Sequence, residues 1–403
     1  MTTLPARSDA AVVLPSLTFV EEAEGILIGR PDIGSYALFP PEGADLVRRL
    51  GAGETPAQVA AWFEEAHGSS LDIDDLLGTL RELGFVLGAA GEPAKSEPVR
   101  WQRAGRALFS IPSALALAVL VASAGVLMIR DPALLPHYRN LFFTEHLTIM
   151  VIALQLNQFP CLAVHEAFHA LAGRRLGLPS SMSIARRYYY IVAETDMTAL
   201  HSVPRRQRYL PMFAGTLADV GMVAGFTILS ASLARTKGPD WLAAYFLAMA
   251  FTALTRIAWQ GFLHLETDFY HVAATASGAI DLRGASGQLL YQTFHRVLPA
   301  RWAPHMEERT ERDRRAARWY APLMVLGYGL STAMLLLVGI PSLLHASDLV
   351  LQRLRNDPSA LDLLDLAVPV IGVLLPAGAL VYVLIRNRRR RTRRPTPPTG
   401  ADS

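Results

Sequence analysis

The chain has 403 residues, 51% of them hydrophobic, with one cysteine and a formal net charge of +3. That length would hold two or three soluble domains, but the composition and a positive mean hydropathy point to a membrane protein with a soluble appendix. The lone Cys161 excludes a disulfide framework and any multi-cysteine zinc site.

Met1 to Ser16 has no sustained apolar core behind a basic head, so no cleavable signal peptide is expected. Residues 15–92 carry 14 acidic side chains against four arginines, a strongly acidic opening. Within 15–90, short apolar runs at Leu17–Val20, Gly25–Ile28 and Ser35–Phe39 predict three small strands. Three helical patterns follow. The first covers 41–50; the second covers 56–66, with Thr55 as N-cap before Pro56; the third covers 72–83, with Leu76, Leu77, Leu80 and Leu83 as its apolar stripe. Phe85-Val86-Leu87 is expected to return as a last strand.

Three strands and three helices of this size make a small α+β, winged-helix-like module. Its acidity argues against nucleic acid, because neutralising phosphates requires a basic face. A peptide added as an extra strand on an exposed sheet edge beside the third helix is the better-matched ligand; the plainer reading is a cytoplasmic cap. Residues 91–106 read as a polar linker.

Six stretches are apolar enough to span a bilayer, at roughly 107–129, 147–172, 209–233, 241–265, 320–344 and 363–385. The fold class expected is a mainly α membrane protein of about six transmembrane helices behind the winged-helix-like domain. Segment 174–208 holds seven arginines and 266–319 holds eight, and the tail 386–403 is densely basic. The connections 130–146, 234–240 and 345–362 are poor in positive charge. Only one orientation keeps the basic segments together: both termini cytoplasmic, in the cell membrane. The arginine tail is a topogenic stop that also meets anionic lipid.

The second span ends in His165-Glu166-Ala167-Phe168-His169. On a helix, two histidines at i and i+4 share a face and can grip one zinc ion, with Glu166 placed to accept a proton from the attacking water. The ordinary alternative is two histidines and a glutamate on a helix end, but ionisable groups in a lipid-embedded helix are costly and usually kept for a purpose. Catalytic zinc needs a third protein ligand. The fourth span runs the same way as the second and ends at His264-Leu265-Glu266-Thr267-Asp268, so Glu266 or Asp268 is at matching depth. Cys161, one turn before His165, is either near the metal or, more simply, a small packing residue. Asp196 is a substitute ligand. His264 and His271 are candidate charge stabilisers or satisfied polar groups at a boundary. Arg186-Arg187-Tyr188-Tyr189-Tyr190 is either a membrane-hugging strand presenting extended substrate or an interfacial anchor.

Two family resemblances attach to these segments. Residues 17–87 resemble the PqqD-like fold that holds leader peptides in ribosomal peptide biosynthesis, through the strand pattern, Glu-Thr-Pro-Ala-Gln-Val-Ala (54–60) and Leu-Leu-Gly-Thr-Leu-Arg-Glu-Leu-Gly-Phe-Val (76–86). Residues 150–290 resemble the site-2-protease-like intramembrane zinc metallopeptidases, in the peptide zinc metalloprotease branch. The carriers are His-Glu-Ala-Phe-His-Ala-Leu-Ala-Gly-Arg-Arg-Leu-Gly (165–177), Ala-Gly-Thr-Leu-Ala-Asp (214–219) and Glu-Thr-Asp-Phe-Tyr (266–270).

The second resemblance implies a six-span peptidase domain over 107–385 with its core at 147–290. It implies His165, His169 and Asp268 as zinc ligands, Asp268 being favoured over Glu266, and Glu166 as general base. Thr216, Asp219 and Phe269 depart from the family's pattern. An acid in mid-span such as Asp219 needs a partner, and Arg256 in the fourth span is the candidate. The expectation is a membrane zinc endopeptidase acting on a ribosomally made precursor peptide delivered by the N-terminal domain. Two rivals stand beside it: a non-catalytic scaffold or export partner that only binds the precursor, and a protease that cleaves a membrane-anchored signalling protein. No residue pattern singles out substrate-binding positions.

Overall fold

The computed structural model describes residues 11–22, 25–86, 99–144, 147–180, 182–188, 190–296 and 309–341, with isolated positions as far as 352. The chain divides into two units, one of Met1–Leu108, Ala170–Ser181 and Asp196–Pro211, the other of Phe109–His169, Met182–Thr195 and Met212–Ser403.

In the first unit, β1 (Thr18–Glu22), β2 (Gly25–Arg30) and β3 (Ser35–Phe39) form an antiparallel sheet in sequence order. Phe19 lies opposite Ile28, and Ile28 opposite Ala37. Side chains alternate between faces along a strand, so Phe19, Ile26, Ile28, Ala37 and Phe39 share one side. There they meet Val47 and Leu50 of α1 (Pro41–Gly51), Val59 of α2 (Pro56–His67), and Leu77 and Leu80 of α3 (Ile73–Glu82). The other side carries Val20, Glu22, Leu27 and Tyr36. A 3-10 turn at Thr198–Ser202 and the first turn of α7 (Arg205–Arg235) pack against it. The Glu22 carboxylate accepts from Arg205 Nε at 2.5 Å and Arg208 Nη2 at 2.7 Å, and the Tyr36 and His201 rings lie 5.8 Å apart. Burial on both faces explains why β2 reads Gly-Ile-Leu-Ile-Gly instead of alternating.

Local chemistry sets the helix ends. Thr55 and Gln58 form a reciprocal capping box with Pro56 in the first turn, and Asp72 Oδ1 accepts from Asp75 N at 3.0 Å. The strand expected at Phe85-Val86-Leu87 is not formed at Phe85 or Val86; Leu87 lies outside the described residues. Instead α3 closes with Gly84 at φ +73°, while the Gly84 and Phe85 amides donate to Arg81 O and Leu80 O. This left-handed terminator uses the Phe85 N–H and drops its ring, fully buried, into the core. The expected linker is also shorter than its sequence implied. Gln102–Leu108 forms α4, which approaches the end of α6 so closely that a Cβ on Gly105 would lie 2.3 Å from Leu171 O. Residues 91–98 lie outside the described set.

Among the described residues, five helices are long and apolar enough to cross a membrane. They are α5 (Ile111–Arg130), α6 (Leu147–Arg175), α7, α8 (Asp240–Trp259) and α11 (Glu311–Met334, whose apolar stretch runs on to Leu337). The sixth expected span, 363–385, and the tail 386–403 fall outside the described residues. The first three spans lie close to their expected positions, while the fourth stops at Trp259, well short of 265. Beyond it, Gln260-Gly261 turns the chain, a 3-10 turn covers Leu263–Leu265, and Glu266 takes φ +55° before α9 (Asp268–Ser277) starts. The fifth span begins at Glu311, earlier than expected, with Thr310 capping it through Asp313 N. Between α6 and α7, β4 (Met182–Arg187) and β5 (Tyr190–Thr195) form an antiparallel hairpin. Thus the backbone at Arg186–Arg187 is strand, which fits either reading of that segment. α9, α10 (Leu282–Phe294) and α11 enclose a cluster of Tyr270, Leu282, Tyr320 and Met324.

Candidate metal centre

The second unit brings together two histidines from α6 and one aspartate from α9. His165 and His169, one turn apart, turn the same way, and their Nε2 atoms lie 3.2 Å apart. Asp268 Oδ2 is 3.3 Å from His165 Nε2 and 3.1 Å from His169 Nε2. Among the described residues these three form the group whose ligand atoms, all within 4.8 Å of one another, could hold a metal ion. Both histidines are buried.

Asp268 owes its place to the irregular stretch that ends α8. Gln260 is buried there; its carbonyl accepts from Thr267 Oγ1 at 2.8 Å, and its side-chain oxygen accepts from Asp268 N at 3.0 Å. The first residue of α9 is thereby tied to the last turn of α8. Burial opposes charge on the Asp268 carboxyl, but hydrogen bonds from His165 and His169 prevail and hold it well below the usual carboxylate range.

Space at the cluster comes from α7. A Cβ built on Gly215 would sit 2.3 Å from His169 Nε2 and 2.4 Å from His165 Nε2, so only glycine lets that backbone face the two ligand atoms. Two imidazole nitrogens and a carboxylate oxygen converging under a bare glycine form a donor set that could hold a divalent metal ion. Glu166 lies beside His165, buried, and its Oε2 accepts from Thr195 Oγ1, at the end of β5, at 2.6 Å.

Asp219, one turn beyond Gly215 on α7, is fully buried. Its Oδ2 is 2.8 Å from His165 Nδ1 and its Oδ1 accepts from Arg256 Nε at 2.8 Å. Arg256 Nη1 donates to Gln158 Oε1 at 2.7 Å. The expected Asp219–Arg256 pair therefore forms, and it reaches the histidine as well.

Other candidates lie elsewhere. Glu266, the rival third ligand, turns away in its left-handed conformation and pairs with Arg187 at 2.7 Å and with Arg283. Asp196, in the first unit, accepts from Thr198 N and Oγ1 at 2.9 and 2.6 Å, as an ordinary turn cap. Cys161 is buried and outside the ligand group. His264 packs on Gly327 of α11 and is hydrogen-bonded to Ser331 Oγ at 2.9 Å; burial pushes its imidazole pKa down. Burial likewise pushes His271 down, to about 4. Beside Arg187 at the hairpin tip, Tyr188 is hydrogen-bonded to Thr332 Oγ1 at 2.7 Å and stacks edge-on against Tyr328.

Sequence reasoning quoted Gly215 within the 214–219 element without giving it a role, and missed Thr195 and the His165–Asp219 bond. Comparison of the chain with protein-family models, curated proteins and solved structures returned no match.

Proposed function

We propose that this protein is a membrane-embedded zinc endopeptidase, with both termini in the cytoplasm, that cleaves a ribosomally made precursor peptide recruited by its N-terminal domain. The observation that carries the reading is the convergence of His165 Nε2, His169 Nε2 and Asp268 Oδ2, from helices about a hundred residues apart, with Glu166 alongside. A chance pair of histidines on a helix end gives no reason for a carboxylate from another helix to meet their ring nitrogens. Zinc held there would supply a Lewis acid that polarises the scissile carbonyl and acidifies water.

Glu166 accepts the proton of the attacking water and returns it to the leaving amine. Thr195 Oγ1 holds one oxygen of that carboxylate and leaves the other for the transfer. Gly215 keeps side-chain bulk away from the ligand nitrogens. The resemblance of 150–290 to site-2-protease-like peptidases supports the same assignment, and that of 17–87 to PqqD-like domains supports peptide recruitment. A precursor held on an edge strand of the N-terminal sheet is presented to the membrane site at raised effective concentration.

The test uses the purified full chain in detergent, with short peptides encoded by neighbouring genes screened as candidate substrates. One zinc per chain is expected, and chelation should remove metal and cleavage together. Peptide binding without zinc or turnover would replace the enzyme by a scaffold. Cleavage that survives deletion of residues 15–90 would move the substrate to a membrane-anchored protein.

A further inference from the structure

Asp219 is the most deeply buried charged side chain among the described residues, at 0% exposure in the apolar stretch of α7. Such a group is costly in a membrane unless every lone pair is used. Here both oxygens are engaged, one by His165 Nδ1 and the other by Arg256 Nε, each at 2.8 Å. Gly215 and Asp219 stand at i and i+4 on α7. One face of that helix thus presents a bare backbone to the His165 Nε2 and a carboxylate to the same ring's Nδ1.

We infer that Asp219 is a positioning residue for His165, with Arg256 as its counter-charge and Gln158 as the anchor for Arg256. A carboxylate is an acceptor only, so His165 Nδ1 carries a hydrogen that it donates to Asp219, and a cation bound at the ring would have to take Nε2. The same bond fixes the ring plane and makes Nε2 a stronger donor toward a cation. The guanidinium completes the network by spending one donor on Asp219 and another on Gln158 of α6, so three apolar helices are registered through one polar chain. A plain helix-to-helix ion pair would need only Asp219 and Arg256; the bond to His165 sets this arrangement apart. The inference rests on the metal-site reading of His165, and its test separates the two.

Two readouts are used on the full chain in detergent: zinc and cobalt(II) affinity by chelator competition with the cobalt absorption spectrum, and the His165 Nδ1–H by 15N-histidine NMR with and without zinc. The wild type is expected to show a hydrogen-bonded Nδ1–H in both states. Asp219→Ala should lose it, bind zinc about 10–100-fold more weakly and change the cobalt spectrum. Asp219→Asn, which keeps an acceptor oxygen, should fall between. Should Asp219→Ala misfold for want of a partner for Arg256, the apolar pair Asp219→Leu with Arg256→Met removes both charges and preserves volume. That double variant should fold yet still bind zinc weakly. Wild-type zinc affinity in the double variant, or an unchanged Nδ1–H hydrogen bond in Asp219→Ala, would overturn the inference. A wild-type chain that takes up no metal, with the Nδ1–H hydrogen bond lost in Asp219→Ala, would sink the peptidase reading and leave the orienting role of Asp219 standing.

Discussion

The N-terminal core and the apolar helices bury opposite kinds of residue. In the first, the most buried side chains are Ile28, Val47, Leu50, Val59, Leu80 and Phe85. In α7 and α8 they are alanines such as Ala214, Ala218, Ala248, Ala250 and Ala253, together with Asp219 and Thr227, while Leu115, Leu156, Leu326 and Leu330 point outward. Water drives large apolar groups inward. Lipid does not, so helices there associate through close packing of small residues and through polar contacts. A buried polar group in the first setting is a cost to be matched; in the second it marks where the helices do their work. By that measure the ligand cluster and the Asp219–Arg256 network are the most informative part of the molecule.

The largest effect expected from this contrast is in the chemistry. On the proposed peptidase reading, Glu166→Gln should reduce cleavage by about 10²–10⁴-fold without lowering metal uptake, since Glu166 is outside the ligand group. Wild-type turnover in that variant would remove Glu166 from the mechanism. Gly215→Ala comes next. Its methyl would collide with both Nε2 atoms, so zinc affinity should drop by about 10–100-fold, as when ligand orientation is disturbed; chelator competition reads it directly. The N-terminal sheet should keep its hydrogen-exchange protection in both variants.

Stability changes should then separate the two settings by sign of volume. Leu50→Ala, at a fully buried N-terminal position, should cost about 2–5 kcal/mol through the cavity it leaves. Ala250→Leu, equally buried in α8, should cost about 1–3 kcal/mol through overpacking. Hydrogen exchange of the sheet and of α8 in the full chain distinguishes local from global loss, and tolerance of both changes would dissolve the contrast. The pH dependence has a defined direction at α9. Burial lowers the His271 pKa from its ordinary value near 6.5 to about 4, so the unfolded chain binds the extra proton first. Protection of α9 should be full above pH 6.5 and decline between there and about pH 4, and His271→Asn should flatten that decline.

What the sequence made legible was whatever one helix or one turn decides by itself. His165 and His169 were readable because i and i+4 share a face, Thr55-Pro56 because a cap and its helix are adjacent, and the described spans because hydropathy is additive. Spacing alone left Glu266 and Asp268 open, and only the family resemblance favoured Asp268, because the choice depends on a left-handed residue and on Gln260 holding the start of α9. Phe85 read as strand because its neighbours are apolar, whereas the fold uses it to close α3. The second face of the N-terminal sheet was equally hidden: nothing in Val20, Glu22 or Leu27 reveals that Thr198–Ser202, Arg205 and Arg208 will lie on them. Asp219 was flagged as an oddity and its arginine partner was inferred from charge, but its bond to His165 joins residues 54 apart and needed the packing of α6 on α7.

The smallest effect tests the premise of the whole contrast. Leu326 on α11 is 68% exposed, and in water such a leucine would be a liability inviting association. If its surroundings are acyl chains, it has apolar neighbours whether or not α11 is packed on its partners, and the folded state gains nothing from it. Leu326→Ala should therefore change unfolding free energy in bilayers by less than about 0.5 kcal/mol. Leu326→Asp should instead impair insertion, because an acid near the middle of a span costs about 2.5–3.5 kcal/mol. A large loss from the alanine variant would mean that Leu326 packs against protein, and α11 would then need a partner helix on that face. Equal behaviour of the two variants would mean that the face meets water, and a buried acid in these helices would then be no more costly than one in a soluble core.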